Sequence, residues 1–186
     1  MVITNNYQGE DFRDEKYQSI DFTNISLKLT SFTDCEFKSC NFNQALFDMT
    51  TFEDCRFEGC CFSGVDFSSI NVKKCRFLDT LMSLATFQKF KGGSKFELAK
   101  TDLSSNTFAG CNLSDAVFNM CILKEIKFQD CQLNRAIFRK CDLTKVDLST
   151  ANIERTIFTD SKISQTILGL DGFIKFGNNH GFVMDN

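Results

Sequence analysis

Apolar residues recur at every fifth position along most of this chain, and few backbones can use that spacing. From Phe22 the series passes through Leu27, Phe32, Phe37 and Phe42 to Phe87, and all fourteen members are apolar. A second series, shifted by one residue, runs from Leu98 through Leu103 and Phe108 to Leu168, and all fifteen members are apolar. At 42% hydrophobic composition such runs do not arise by chance. A helix repeats at roughly 3.6 residues and a strand at about 2, so neither element alone produces the pattern.

A second position is restricted. Two residues before the apolar centres the side chain is small or slender: Cys35, Cys40, Ala45, Thr50, Cys55, Cys60 and Val65, then Cys111, Ala116, Cys121, Ile126, Cys131, Ala136, Cys141, Val146 and Ala151. The other three positions are mostly polar. A five-residue unit cannot bury its own Phe or Leu, so units must stack on one another.

Units such as Cys35-Glu-Phe-Lys-Ser, Cys111-Asn-Leu-Ser-Asp and Ala151-Asn-Ile-Glu-Arg resemble the pentapeptide-repeat family, whose unit is written A(D/N)LXX. The resemblance covers residues 20–170 and implies an all-β fold: a right-handed quadrilateral β-helix with one unit per face and four per coil. Residue i then lies over residue i+20, at the usual inter-strand spacing of roughly 4.8 Å. The expected solenoid has about seven to eight coils and a short C-terminal capping helix.

This register divides the chain. Residues 1–19 are expected to form an irregular first coil or N-terminal cap, because Glu10 and Glu15 fall on inward positions where an unpaired carboxylate is costly. Residues 20–87 form the first part of the β-helix. Residues 88–97 break the register as a bulge, a loop or a bend with Phe90 exposed, since eleven residues separate Phe87 from Leu98. Residues 98–168 form the second part, with Leu98 as its first centre. In residues 169–186, Asp171 is expected to cap a helix from Phe173 to Asn179, with Gly181 ending it and Phe182-Val183-Met184 extended.

Ten cysteines could suggest disulfides or metal, but nine fall on the slender inward position, where a free Cys acts as a small hydrophobe. Cys61 alone is expected to point outward. The single histidine, His180, sits at the expected helix end, and Lys91-Gly92-Gly93-Ser94-Lys95 lacks phosphate-loop spacing. Neither catalytic residues nor cofactor or metal ligands are assigned, and an enzyme is not expected. No apolar stretch approaches the roughly 20 residues of a membrane span. No secretory leader is recognisable, which gives a cytoplasmic expectation.

The tail resembles that of the fluoroquinolone-resistance (MfpA- and Qnr-like) group within the family. That resemblance implies a homodimer built on the tail, with Ile167, Leu170, Phe173, Ile174, Phe176, Phe182 and Val183 as dimerisation residues; a monomeric cap is the alternative. It also implies a DNA mimic that binds DNA gyrase or topoisomerase IV and protects it against quinolones or topoisomerase-poisoning toxins, with no direct nucleic-acid or membrane partner. The acidic residues expected to stand in for phosphates are Asp48, Glu53, Asp54, Glu58, Asp66, Asp102, Asp142 and Asp147. Charge supports this unevenly. The formal net charge is −3, with thirteen acids and nine bases in residues 1–90 against eleven and twelve in the remainder. The alternative is a scaffold or protein-interaction module. Val117, Ile137 and Ile157 suit that reading, because they are expected to form an outward apolar stripe, widened by Met120.

Overall fold

The computed structural model describes residues 7–92, 94, 96–183 and 185. Met1–Asn6, Gly93, Lys95, Met184 and Asn186 lie outside the described residues, so the expectations for the extreme N-terminus, part of the 91–95 loop and Met184 are not addressed. The chain forms a quadrilateral β-helix of about eight coils, closed by one helix, α1 (Leu170–Asn179).

The four faces are parallel ladders. The first stacks Asp11–Arg13, Ser31–Thr33, Thr50–Glu53 and Ile70–Lys73. The second stacks six strands from Lys16–Gln18 to Phe128–Gln129. The third is a run of single bridges from Asp21↔Asn41 to Gln132↔Asn152. The fourth includes Thr86–Phe87, Val117–Asn119, Ile137–Arg139 and Ile157–Thr159. The ladders keep the expected 20-residue offset, as in Phe32↔Phe52 and Phe37↔Phe57, except across residues 88–98, where Phe77↔Phe108, Leu81↔Asn112 and Phe87↔Phe118 are thirty-one apart.

Corners explain the period. The residue two after a centre is left-handed at unit after unit, with φ of 55° at Asp34, 53° at Asp54 and 59° at Asp115. Asp and Asn tolerate this region better than most side chains, and glycine does so without strain. Each corner turns the chain onto the next face, so one inward centre is delivered every fifth residue.

The centres form ring columns. Phe37, Phe57 and Phe77 stack at centroid separations of 5.0 and 4.9 Å, nearly parallel, and Phe42 and Phe62 stack at 4.5 Å. Around the coil the rings meet edge to face, as Phe52 meets Phe57 at 80°. Both arrangements suit the aromatic quadrupole. The slender position has a polar reason as well as a steric one. Its Sγ or Oγ points at a main-chain oxygen of the coil below: Cys55 to Phe32 at 3.3 Å, Cys75 to Phe52 at 3.3 Å, Thr50 to Leu27 at 2.6 Å. Nine cysteines are buried and free, and Cys61 is half-buried. The neighbouring Cys40 thiol and burial push Cys60 ionisation up.

Three expectations need correction. The first coil is regular from Tyr7 onward, with Asp11–Arg13 and Lys16–Gln18 in register with the second coil. Glu10 and Glu15 are exposed there, because among the described residues no coil lies beneath them to close over the inward position. The break is an antiparallel pairing in which Lys89 faces Ala99 and Phe90 faces Leu98. Leu98 therefore lies outside the coil, half-buried, and is not a core centre. Finally, α1 begins at Leu170 with Gly169 as its N-cap, and Asp171 lies in the first turn, where it pairs with Lys175 at 2.8 Å.

The C-terminus of α1 closes as expected on Gly181, at φ 81°. Gly181 N–H donates to Asn178 O and Phe182 N–H to Gly177 O, the pairing of a Schellman end. Among the described residues no helix is long and apolar enough to cross a membrane.

Candidate functional site

The eight candidate acids do not form one surface. Glu53, Asp54, Asp102 and Asp142 belong to the first face and its corner, Glu58 and Asp147 to the second, and Asp48 and Asp66 to the fourth. Their offsets from the centres fix this: an outward residue precedes or follows each inward one.

Half of these acids are neutralised along the rod. Glu53 pairs with Lys73 at 2.9 Å and Asp54 with Lys74 at 3.2 Å. Glu58 meets Lys38 at 3.3 Å and Arg56 at 3.0 Å, and both hold its carboxyl below the usual range, Arg56 most. Asp142 lies 3.5 Å from Lys124 and 3.9 Å from Lys162. The other four make no ion pair among the described residues. Asp66 accepts Ser68 N–H and caps the 3-10 turn Phe67–Ser69. Asp102 accepts the Ser104 N–H and hydroxyl, and Asp147 accepts Ser149 N–H. Asp48 is exposed.

Ion pairing follows the coil pitch. Lys16–Glu36, Lys38–Glu58, Glu53–Lys73, Asp54–Lys74, Asp115–Arg135, Glu125–Lys145 and Asp142–Lys162 each join residues twenty apart. Reading opposite charges at i and i+20 in the sequence finds these pairs. The acid list drawn from the sequence missed them because it treated each carboxylate alone. Such exposed pairs add little stability. Their consequence is electrostatic: each replaces a bare charge by a dipole.

Val117, Ile137 and Ile157 stand in register on one face. Val117 faces Ile137 and Ile137 faces Ile157 on successive strands, with Thr86 preceding them. Exposure rises along it to 50% at Ile157. Met120 occupies a left-handed corner beside Val117.

The C-terminal end carries the larger apolar surface. Leu170, Phe173, Phe182 and Val183 are 81%, 68%, 72% and 92% exposed. Ile167 and Ile163 on the last coil are half exposed. A groove of about 510 Å³ runs between that coil and α1, lined by Ile163, Ile167, Phe173 and Phe176. A second, of about 530 Å³, lies on the other flank of α1 against Leu170, Ile174, Phe182 and Val183. The tail residues thus divide by role. Phe176 packs inward on Phe158 at 6.2 Å and caps the stack. Phe173, Leu170, Phe182 and Val183 face out. His180 is held by its ring Nδ1 against Phe176 O at 2.8 Å, a structural position at the helix end.

Known proteins resemble this chain as follows. Residues 27–71 match the family described as pentapeptide repeats (9 copies), and residues 93–158 match the pentapeptide repeat region. No curated protein matches the sequence. Among solved structures, full-length QnrB1, a plasmid-mediated fluoroquinolone resistance protein, is similar with a TM-score of 0.67 at 23% identity over 91% of this chain and 82% of that one. A trypsin-treated variant of QnrB1 is similar with a TM-score of 0.64 at 20% identity, over 100% of this chain and 96% of that one. At this identity the likeness is one of fold.

Proposed function

The chain belongs to the pentapeptide-repeat family, and from that premise we propose that it is a non-enzymatic ligand of a type II topoisomerase, DNA gyrase or topoisomerase IV. It acts as a homodimer in the cytoplasm, occupies the enzyme's DNA-binding groove, and moderates the action of quinolones or of topoisomerase-poisoning toxins. One observation carries the reading: a coil stack that shares its fold with a fluoroquinolone resistance protein over its whole length ends in an exposed apolar helix. Two copies joined there through Leu170, Phe173, Phe182 and Val183 make a longer rod with a two-fold axis, the symmetry of most homodimers.

Charge assigns the contacts. A basic groove attracts bare carboxylates rather than paired ones. The residues proposed to stand in for phosphates are therefore Asp48, Asp66, Asp102 and Asp147, while Glu53, Asp54, Glu58 and Asp142 contribute less. Supercoiling by gyrase, titrated with this protein with and without a quinolone, tests the reading. Protection or inhibition at micromolar protein is expected, weakened by Asp→Asn at the four bare positions. No effect at that concentration removes it.

A second reading rests on the stripe Val117–Ile137–Ile157, which a solvated rod does not need. On that reading the protein is an interaction module that presents an apolar face to a protein partner. Substitution of Ile137 by Lys then abolishes partner binding while leaving gyrase supercoiling untouched.

A further inference from the structure

The first face is not continuous. Its ladder runs from Asp11–Arg13 to Ile70–Lys73 and stops; Thr101–Asp102 begins a separate ladder with Cys121–Ile122. Among the described residues no strand pairing joins Ile70–Lys73 to Thr101–Asp102. The other faces bridge the same two coils without interruption, through Phe77↔Phe108, Leu81↔Asn112 and Phe87↔Phe118. The antiparallel insertion leaves the coil just before the first face, and the 3-10 turn Phe67–Ser69 precedes Ile70–Lys73 on the coil below.

Side chains patch one end of this gap. Asn106 Oδ1 accepts Cys75 N–H at 2.9 Å, its Nδ2 reaches Val72 O at 3.3 Å, and Ser105 Oγ accepts Lys74 N–H at 3.1 Å. The other end stays open as a cleft of about 540 Å³. That size falls within the usual range for small-ligand sites, roughly 300–1,000 Å³. Its floor is Val72, backed by the buried Phe67, Phe87 and Leu103. Lys73, Lys89 and Lys100 stand around it.

One hydroxyl there is unpaired, and one lysine has only a neutral partner. Thr101 holds the slender inward position from which Thr50 and Thr156 donate to the coil below. Thr101 Oγ1 is buried and has no hydrogen-bond partner among the described residues. Buried hydroxyls are normally paired, so this one points to a missing acceptor. Lys89 is partly withdrawn from water, its Nζ meets only the neutral Asn71 Oδ1 at 2.7 Å, and burial holds its ionisation below the usual lysine range. Neither Lys89 nor Lys100 makes an ion pair among the described residues, whereas Lys73 is paired with Glu53. The one acid at the rim, Asp102, spends its Oδ1 on the N–H and hydroxyl of Ser104.

We propose that this cleft binds a small organic anion, a carboxylate or phosphate carried on a compact apolar body. The anionic head meets Lys89 and Lys100 and accepts from the unpaired strand edge, and the apolar body lies on Val72. Charge-assisted contacts of this kind are the stronger class of hydrogen bond.

The full chain, isotopically labelled and followed by amide NMR, tests this with phenyl phosphate, benzoate and benzyl alcohol as probes. Phenyl phosphate and benzoate are expected to shift the amides of Val72, Lys73, Thr101 and Leu103 saturably, and the tighter of the two identifies the headgroup. Benzyl alcohol is expected to leave them in place. Lys89→Gln combined with Lys100→Gln, in a chain whose spectrum stays dispersed, is expected to weaken binding about tenfold or more. Equal shifts with benzyl alcohol overturn the site, as does undiminished affinity in the double variant. Shifts confined to the apolar grooves beside α1 overturn it too.

Discussion

The ring of Phe118 lies on that of Phe87 with centroids 4.6 Å apart and planes 4° from parallel, although thirty-one residues separate them instead of twenty. The thiols tell the same story: Cys75 reaches the Phe52 oxygen twenty-three residues back, whereas Cys111 and Cys121 reach the Phe77 and Phe87 oxygens thirty-four back. Eleven extra residues have entered one coil without disturbing three of its faces. Deleting residues 88–98 restores the spacing, places Thr101 on the slender position and Leu103 as the next centre. The deleted chain is expected to keep its β-sheet circular dichroism and to melt within about 4 °C of the parent, since shortening a surface loop changes closure entropy little. It should also lose the cleft, and with it saturable binding of phenyl phosphate. An unfolded product would show that the insertion is part of the stack.

Ring columns make the interior intolerant of truncation. Phe57 is fully buried and stacked between Phe37 and Phe77. Phe57→Ala is expected to cost about 3–5 kcal/mol, because neighbouring coils pinned by their ladders cannot collapse into the void. Phe96, 91% exposed in the insertion, is the control, and its replacement by Ala should stay within about 0.5 kcal/mol. Urea unfolding of both variants decides the point. Similar losses would contradict the column description.

Much of this was legible because the period is short and the core position repeats. Phe57 and Cys75 could be placed inside the rod from spacing alone, and Val117, Ile137 and Ile157 on one outward line. Leu98 failed because periodicity reads identity and phase, not topology. It is apolar and five residues before Leu103, yet it pairs backwards with Phe90. Asp171 failed because capping preference competes with chain direction: the coil ends at Leu168, and Gly169 already has the extended backbone a cap needs, at φ −72° and ψ 167°. The gap beside Thr101 had no sequence signal. It depends on where a ladder stops, which five-residue periodicity does not report.

Acid should weaken the stack through specific carboxylates. The Arg135 guanidinium, hydrogen-bonded to Asp115 at 2.7 Å from both Nε and Nη2, lowers the Asp115 pKa. Hydrogen bonds from Thr144 lower that of Asp142, and those from Ser149 lower that of Asp147. A depressed folded pKa contributes stability above the unfolded carboxylate value of about 3.9, and that contribution is lost as pH falls through the lower folded value. Stability measured between about pH 5 and 2 is therefore expected to fall less steeply in a chain carrying Asn at positions 115, 142 and 147. Superimposable slopes would mean that these carboxylates bind protons alike in both states.

The two faces of α1 predict opposite outcomes from the same substitution. Phe173 and Phe182 are exposed in one protomer, so Phe173→Asp with Phe182→Asp should leave its fold and melting temperature nearly unchanged. In a dimer joined there, both carboxylates would be buried against apolar groups without partners, which is costly enough to dissociate it. Light scattering is expected to give about twice the 21.2 kDa chain mass for the parent and the single mass for the double variant. Phe176→Asp should behave differently. Its ring seals the last coil against Phe158, so the charge would enter the core and lower the melting temperature of the protomer itself. A parent chain that scatters at monomer mass throughout the micromolar range would assign the tail to capping alone, and the apolar surface of Leu170 and Val183 would then belong to another partner.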